Sequence, residues 1–126
     1  EPWKPFDVLQ KIETAQDNPI AAKIAWTQAR DAYLGYRQQG GYAQYSAGKL
    51  ADEIFNLIEQ GEADKAIARL AEIVQNEEIP EWVKPFASAI KAIISNPADS
   101  VVTDDMAMNY ASTAEIVFFI EKYKSQ

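Results

Sequence analysis

Apolar side chains recur every three to four positions along most of the chain, which is the period of a helix face. No four-residue stretch alternates polar with β-branched apolar residues between turn signals, so strands are not expected. A first helix over 7–16 puts Val8, Ile12 and Ala15 on one face, after the proline-marked approach from Pro2 to Pro5. Asn18-Pro19 then reads as an N-cap followed by proline at the first helical position, where a missing N–H costs nothing. A long helix over 19–39 follows, stopped by Gly40-Gly41. Ile20, Ile24, Trp26, Ala29, Tyr33 and Tyr36 supply its apolar and aromatic surface, and it is expected to be the spine of the fold.

The third helix, over 47–60, carries Leu50, Ile54, Leu57 and Ile58 in core-facing register and ends at Gly61. The fourth, over 63–76, repeats the pattern with Ala66, Ile67, Leu70, Ile73 and Val74, so the two form a helical hairpin with facing apolar sides. Pro80 opens the next segment, lined by Val83, Phe86, Ile90, Ile93 and Ile94, and Asn96-Pro97 stops it. Pro85 implies a kink or a separate short turn there. The irregular stretch over 96–109, with Met106 and Met108, is a functional loop or a surface crossing. A last helix over 111–124 is expected to bury Ile116, Phe119, Ile120 and Tyr123, with Ser112 and Glu115 spaced as a capping box and Lys122 and Lys124 at its C-terminal end. The fold class is therefore all-α: one domain of five to six helices, an N-terminal pair over 1–41 and a hairpin with two closing helices over 42–126, as an irregular bundle or short superhelix.

Residues 54–120 carry "FNLIEQGEADKAIARLAEIV", "IPEWVKPFASAIKAII" and "DDMAMNYASTAEIVFFIE". This stretch resembles a helical module at the tail of many bacterial proteins built from tetratricopeptide repeats or signalling NTPase domains, on the landmarks Gly61, Pro80 and the run from Tyr110 to Ile116. Where that module has Ile-Leu-Gly, this chain has Ile93-Ile94-Ser95. The hairpin alone is similar to one tetratricopeptide unit, without a second copy at a fixed period. The resemblance implies a helical scaffold for protein contact, and no catalytic residues come with it.

Composition narrows function by exclusion. The 126 residues include no histidine and no cysteine, which removes most nucleophile, metal and redox chemistry. No cofactor and no metal site are expected, because the neighbouring acidic pairs Asp52-Glu53, Glu77-Glu78 and Asp104-Asp105 diverge on a helix and the stretch over 99–105 lacks calcium-loop spacing. Apolar residues make up 48 %, a globular balance, while the longest apolar run, Ile116 to Ile120, is too short to span a bilayer. Absence of cysteine is compatible with a cytoplasmic home, and a first residue of Glu1 suggests that something upstream has been removed. The net charge of −7 is concentrated over 52–81, which holds nine acidic and two basic side chains, an unsuitable footprint for nucleic acid.

Two partner surfaces are candidates. Trp26, Arg30, Tyr33 and Arg37 share one face of the long helix, either as a partner groove or as a core rim with arginine stems over aromatic rings. Asp52, Glu53, Glu59 and Glu62 belong to the acidic middle, either a solvated face or a docking surface for a basic partner. Glu115 is a capping-box acceptor or the partner of a basic side chain on a neighbour. The functional expectation is a non-catalytic protein-interaction or scaffold module, and the alternative is a small acidic inhibitor of a basic effector, such as an immunity protein or antitoxin.

Overall fold

The computed structural model describes residues 1–96 and 108–125. Among them run six helices and no strand: α1 (Lys4–Ala15), α2 (Pro19–Gln38), α3 (Ser46–Glu59), α4 (Ala63–Gln75), α5 (Val83–Ser95) and α6 (Tyr110–Lys124). The all-α class and the helical bundle are thus as the periodicity indicates. Most of the stretch over 96–109, including Met106 and Asp104-Asp105, lies outside the described residues.

Local chemistry sets the boundaries. α1 begins three residues earlier than the periodicity suggests, because Pro5 sits in its first turn, where no N–H is needed. Asp17 turns the chain at φ 54°, a left-handed conformation that short polar side chains tolerate. The Asn18 side chain then accepts from the Ala21 N–H at 3.5 Å, so the expected cap of α2 is present. Gly40 at φ 96° ends that helix and Gly61 at φ 77° separates α3 from α4, both in the region where a Cβ is costly. Of the two expectations at Pro85 the separate short turn holds: the Val83 N–H donates to the Pro80 carbonyl at 3.0 Å before α5 begins, and Pro85, the third residue of the helix, lacks an N–H that would have had no intrahelical acceptor.

The spine is α6 rather than α2. It packs against α2, α3 and α5, and every residue over 110–116 is buried. On one side α6 closes a core with α3, α4 and α5, where Ile54, Leu70, Phe86, Ile90, Ile116 and Phe119 are at most 1 % exposed. Each such side chain stabilises the fold by roughly 1.5–3 kcal/mol. On its other side Tyr110, Ala111 and Ala114 join Trp3, Trp26, Ala29 and Tyr33 in a second core. A helix buried on several sides needs no polar stripe, and α6 is the least one-sided of the six in its apolar pattern.

The first helix faces the opposite way from the sequence-based expectation. Val8 and Ile12 are 55 % and 46 % exposed, and no residue of α1 is fully buried. Phe6, Asp7, Gln10 and Glu13 are its half-buried positions, and Trp3, just before the helix, fills the core instead. Ile20 and Ile24 of α2 also point outward. Amphipathicity identifies the apolar stripe of a helix but not whether a neighbour exists to cover it.

Gly48 of α3 lies directly against the Glu115 side chain of α6. A Cβ there would overlap the Glu115 carboxylate and lie 2.8 Å from the Ala43 Cβ. Gly48→Ala is therefore expected to destabilise the protein by about 1–3 kcal/mol, despite alanine's better helix propensity. Urea denaturation checks the sign, which an unconstrained helical glycine would reverse.

Candidate functional site

The face of α2 carrying Trp26, Tyr33 and Arg37 is turned toward α6, and these residues are 1 %, 0 % and 5 % exposed. Trp26 donates through its indole N–H to the Met108 carbonyl at 3.2 Å. Arg30 is half-buried, its guanidinium lying 5.4 Å from the Trp26 ring centre and 3.0 Å from the Asp31 carboxylate. Trp26 and Tyr33 belong to the second core, and the guanidinium groups of Arg30 and Arg37 lie over the rings of Trp26 and Phe118.

Glu115 is the centre of the arrangement and is completely buried. The Tyr33 hydroxyl donates to its Oε2 at 2.6 Å, and Arg37 Nε donates to its Oε1 at 3.1 Å. Arg37 also donates through Nη1 to the Gly41 carbonyl at 2.8 Å and through Nη2 to Asp52 at 2.7 Å. Lys122 approaches the same Asp52 oxygen at 3.5 Å. Two cations thus balance two carboxylates, tying α2 and the loop after it to α3 and α6, and the charge-assisted geometry offsets the desolvation of the buried pair. Burial pushes the Glu115 carboxyl above the usual carboxylate range, against the opposing pull of Tyr33 and Arg37. Burial also opposes the Arg37 charge, but Glu115 and Asp52 outweigh it and hold that pKa above its ordinary value.

The capping-box reading of Ser112 and Glu115 is corrected by this geometry. Asn109 is the N-cap of α6, its side chain accepting from the Ser112 N–H at 2.8 Å, and Glu115 turns inward to Arg37. The signal for it is in the sequence: Glu115 is the one charged side chain in the run from Tyr110 to Ile120, and an isolated carboxylate in an apolar helix requires a buried partner. The tyrosine cluster behind it gave less warning. Trp3 donates to the Tyr45 hydroxyl at 2.9 Å, and Tyr45 and Tyr110 pair at 3.3 Å.

Burial first, and hydrogen bonding second, hold the Tyr33 and Tyr110 hydroxyls well above the ordinary phenol range. With the folded value raised, their contribution to stability is complete below the unfolded value near pH 10 and is lost as pH rises above it. In an alkaline titration, phenolate absorbance from these two residues should emerge together with loss of the helical circular dichroism signal. The Tyr33→Phe/Tyr110→Phe variant should lack that coincident step.

The acidic candidates do not converge. Asp52 belongs to the buried network, Glu53 lies 3.7 Å from Arg69, and Glu62 lies 3.4 Å from Lys65. Glu59 is exposed beside a shallow hollow with Phe55, Phe118 and Lys122. Among the described residues no three carboxylates come together as metal ligands, and no helix is long and apolar enough to cross a membrane.

What the described surface does present is apolar. Val8, Leu9, Ile12, Ile20 and Ile24 are 42–76 % exposed, on the two helices that flank the turn at 16–18. Compared with protein-family models, curated proteins and solved structures, the chain matches none.

Proposed function

We propose that this chain is a non-catalytic protein-interaction module, a helical scaffold whose partner surface is the outward side of α1 and α2. One observation carries the reading: five large aliphatic side chains, Val8, Leu9, Ile12, Ile20 and Ile24, stand in solvent on one helical hairpin. Clustered exposed aliphatics of this kind mark contact surfaces on soluble proteins. Their i, i+4 spacing within each helix suits a partner helix laid along them. The tetratricopeptide-like reading of α3 and α4 fits a supporting role in a larger bacterial protein.

The reading as an acidic inhibitor draws less support, because Asp52, Glu53 and Glu62 already direct their charge to Arg37, Arg69 and Lys65 within the chain. Affinity capture with the wild-type chain and with the Ile12→Asp/Ile24→Asp variant separates the two. Under the scaffold reading the variant melts like wild type but loses the captured partner, and the wild-type complex survives high salt. Capture that tolerates the variant and disappears in high salt contradicts it and favours the acidic surface.

A further inference from the structure

Among the described helices, α1 packs against α2 alone, and α2 joins the rest of the bundle through α6. The aliphatic face of Val8, Leu9, Ile12, Ile20 and Ile24 is therefore the bare side of a two-helix layer. The charges of that layer are sorted. Over 1–38 the chain carries five basic and five acidic side chains, so the net charge of −7 belongs wholly to residues 39–126. On α1 the lysines stand outermost: in the Lys11–Asp7 pair the lysine side chain is 75 % exposed and the aspartate 24 %, and Lys4 is likewise more exposed than Glu1. On α2 the order is reversed, because Asp31 is 61 % exposed and its partner Arg30 only 17 %. Lys23, the other cation near this stripe, lies over the Trp26 ring, 4.5 Å from its centre.

These charges border the aliphatics directly. Lys4 and Lys11 bracket Val8 at i−4 and i+3, and Asp31 continues the line of Ile20, Ile24 and Thr27. One helix thus rims the face with cations and the other with an anion, so the face complements itself. A two-fold contact is isologous, and half a turn about an axis along the hairpin lays α1 of each copy over α2 of the other. With an equal rise of about 1.5 Å per residue on either side of the turn at 16–18, Lys4 then stands level with Asp31 of the second copy, and Ile12 with its Ile24.

The size of the face sets the strength of such a contact. Helices of 12 and 20 residues are about 18 and 30 Å long and about 10 Å across, so each copy offers roughly 480 Å² and the pair about twice that. That is the low end for specific contacts, where association is reversible. The acidic remainder does not oppose it, because two intervening helix layers, about 20 Å together, exceed the screening length of about 8 Å at physiological salt. We infer that the occupant of this face is a second copy of the chain, two hairpins meeting as a four-helix layer in a reversible dimer. The inference rests on the partner surface proposed above and names what covers it.

Sedimentation equilibrium of the full chain over a range of concentrations tests it. The expected result is a monomer–dimer equilibrium with a dissociation constant of about 10–100 µM, in keeping with the small interface. Ile24→Asp should weaken the dimer at least about tenfold while melting as wild type, since it places an unpaired charge in the contact. Lys4→Asp, which sets like charges level with each other twice in the pair, should weaken it by about tenfold, and Lys4→Asp/Asp31→Lys should restore it. A wild-type chain still monomeric at millimolar concentration, a dimer untouched by Ile24→Asp, or a double variant as weak as Lys4→Asp would each overturn the inference. Lysate capture with Ile12→Asp/Ile24→Asp judges the surface separately: a monomeric chain that needs this face to capture a different protein loses the second copy as its partner and keeps the surface.

Discussion

Arg37→Ala is expected to cost about 3–5 kcal/mol, a large share of the roughly 5–15 kcal/mol that holds an ordinary domain together. The loss is far greater than for an exposed ion pair because Glu115 is completely buried and would keep its charge without its counter-ion. The Gly41 carbonyl and the Asp52 carboxylate lose their donors in the same step. Arg37→Ala/Glu115→Gln should recover part of the loss, since the buried charge is gone and Tyr33 can still donate to the amide oxygen. The pH dependence has a definite sign. Burial raises the folded carboxyl above its unfolded value, so in Arg37→Ala the penalty is smallest below the unfolded pKa, near pH 4, and grows as pH rises through the folded one. Urea midpoints at acid and neutral pH check this, and a loss below about 1 kcal/mol at both would place the pair with ordinary surface salt bridges.

Trp3→Ala should cost about as much, roughly 3–5 kcal/mol, for a different reason. Trp3 lies outside any long helix and is nevertheless fully buried, with ring centres 4.8 Å from Tyr33 and 4.9 Å from Tyr36. Its indole N–H is the donor to Tyr45, so truncation opens a cavity and leaves the Tyr45 hydroxyl with Tyr110 as its hydrogen-bond partner. Trp3→Phe keeps most of the volume and should cost clearly less. The measurement is again equilibrium denaturation, and unchanged stability in Trp3→Ala would mean that α1 is a fraying appendage and not part of the second core.

The helices themselves were legible because punctuation and period agree: Asn18-Pro19, Gly40 and Gly61 fall at observed boundaries, and the stripes of α3, α4 and α5 face the core they point to. What failed was orientation. Val8, Ile12, Ile20 and Ile24 obey helical spacing, but spacing is a property of one helix, and burial depends on whether another lies against it. Trp3 escaped for the converse reason, since a single aromatic before a helix carries no period. The candidate site divided along the same line. The grouping of Trp26, Tyr33 and Arg37 on one face was readable from i, i+4 and i, i+7 spacing, but its inward direction is fixed by Glu115, 78 positions away from Arg37. Ser112 has the spacing of a cap in the sequence, but Asn109 takes that place.

The most direct measurement of the proposed function is site-specific photo-crosslinking in native lysate, with the photoreactive residue at Ile24 in one chain and at Glu59 in another. The expected result is a discrete crosslinked partner from position 24 that is abolished by Ile12→Asp, and none from position 59. A partner captured from position 59 and not from position 24 would contradict it, and would move the functional surface to the acidic side of the bundle.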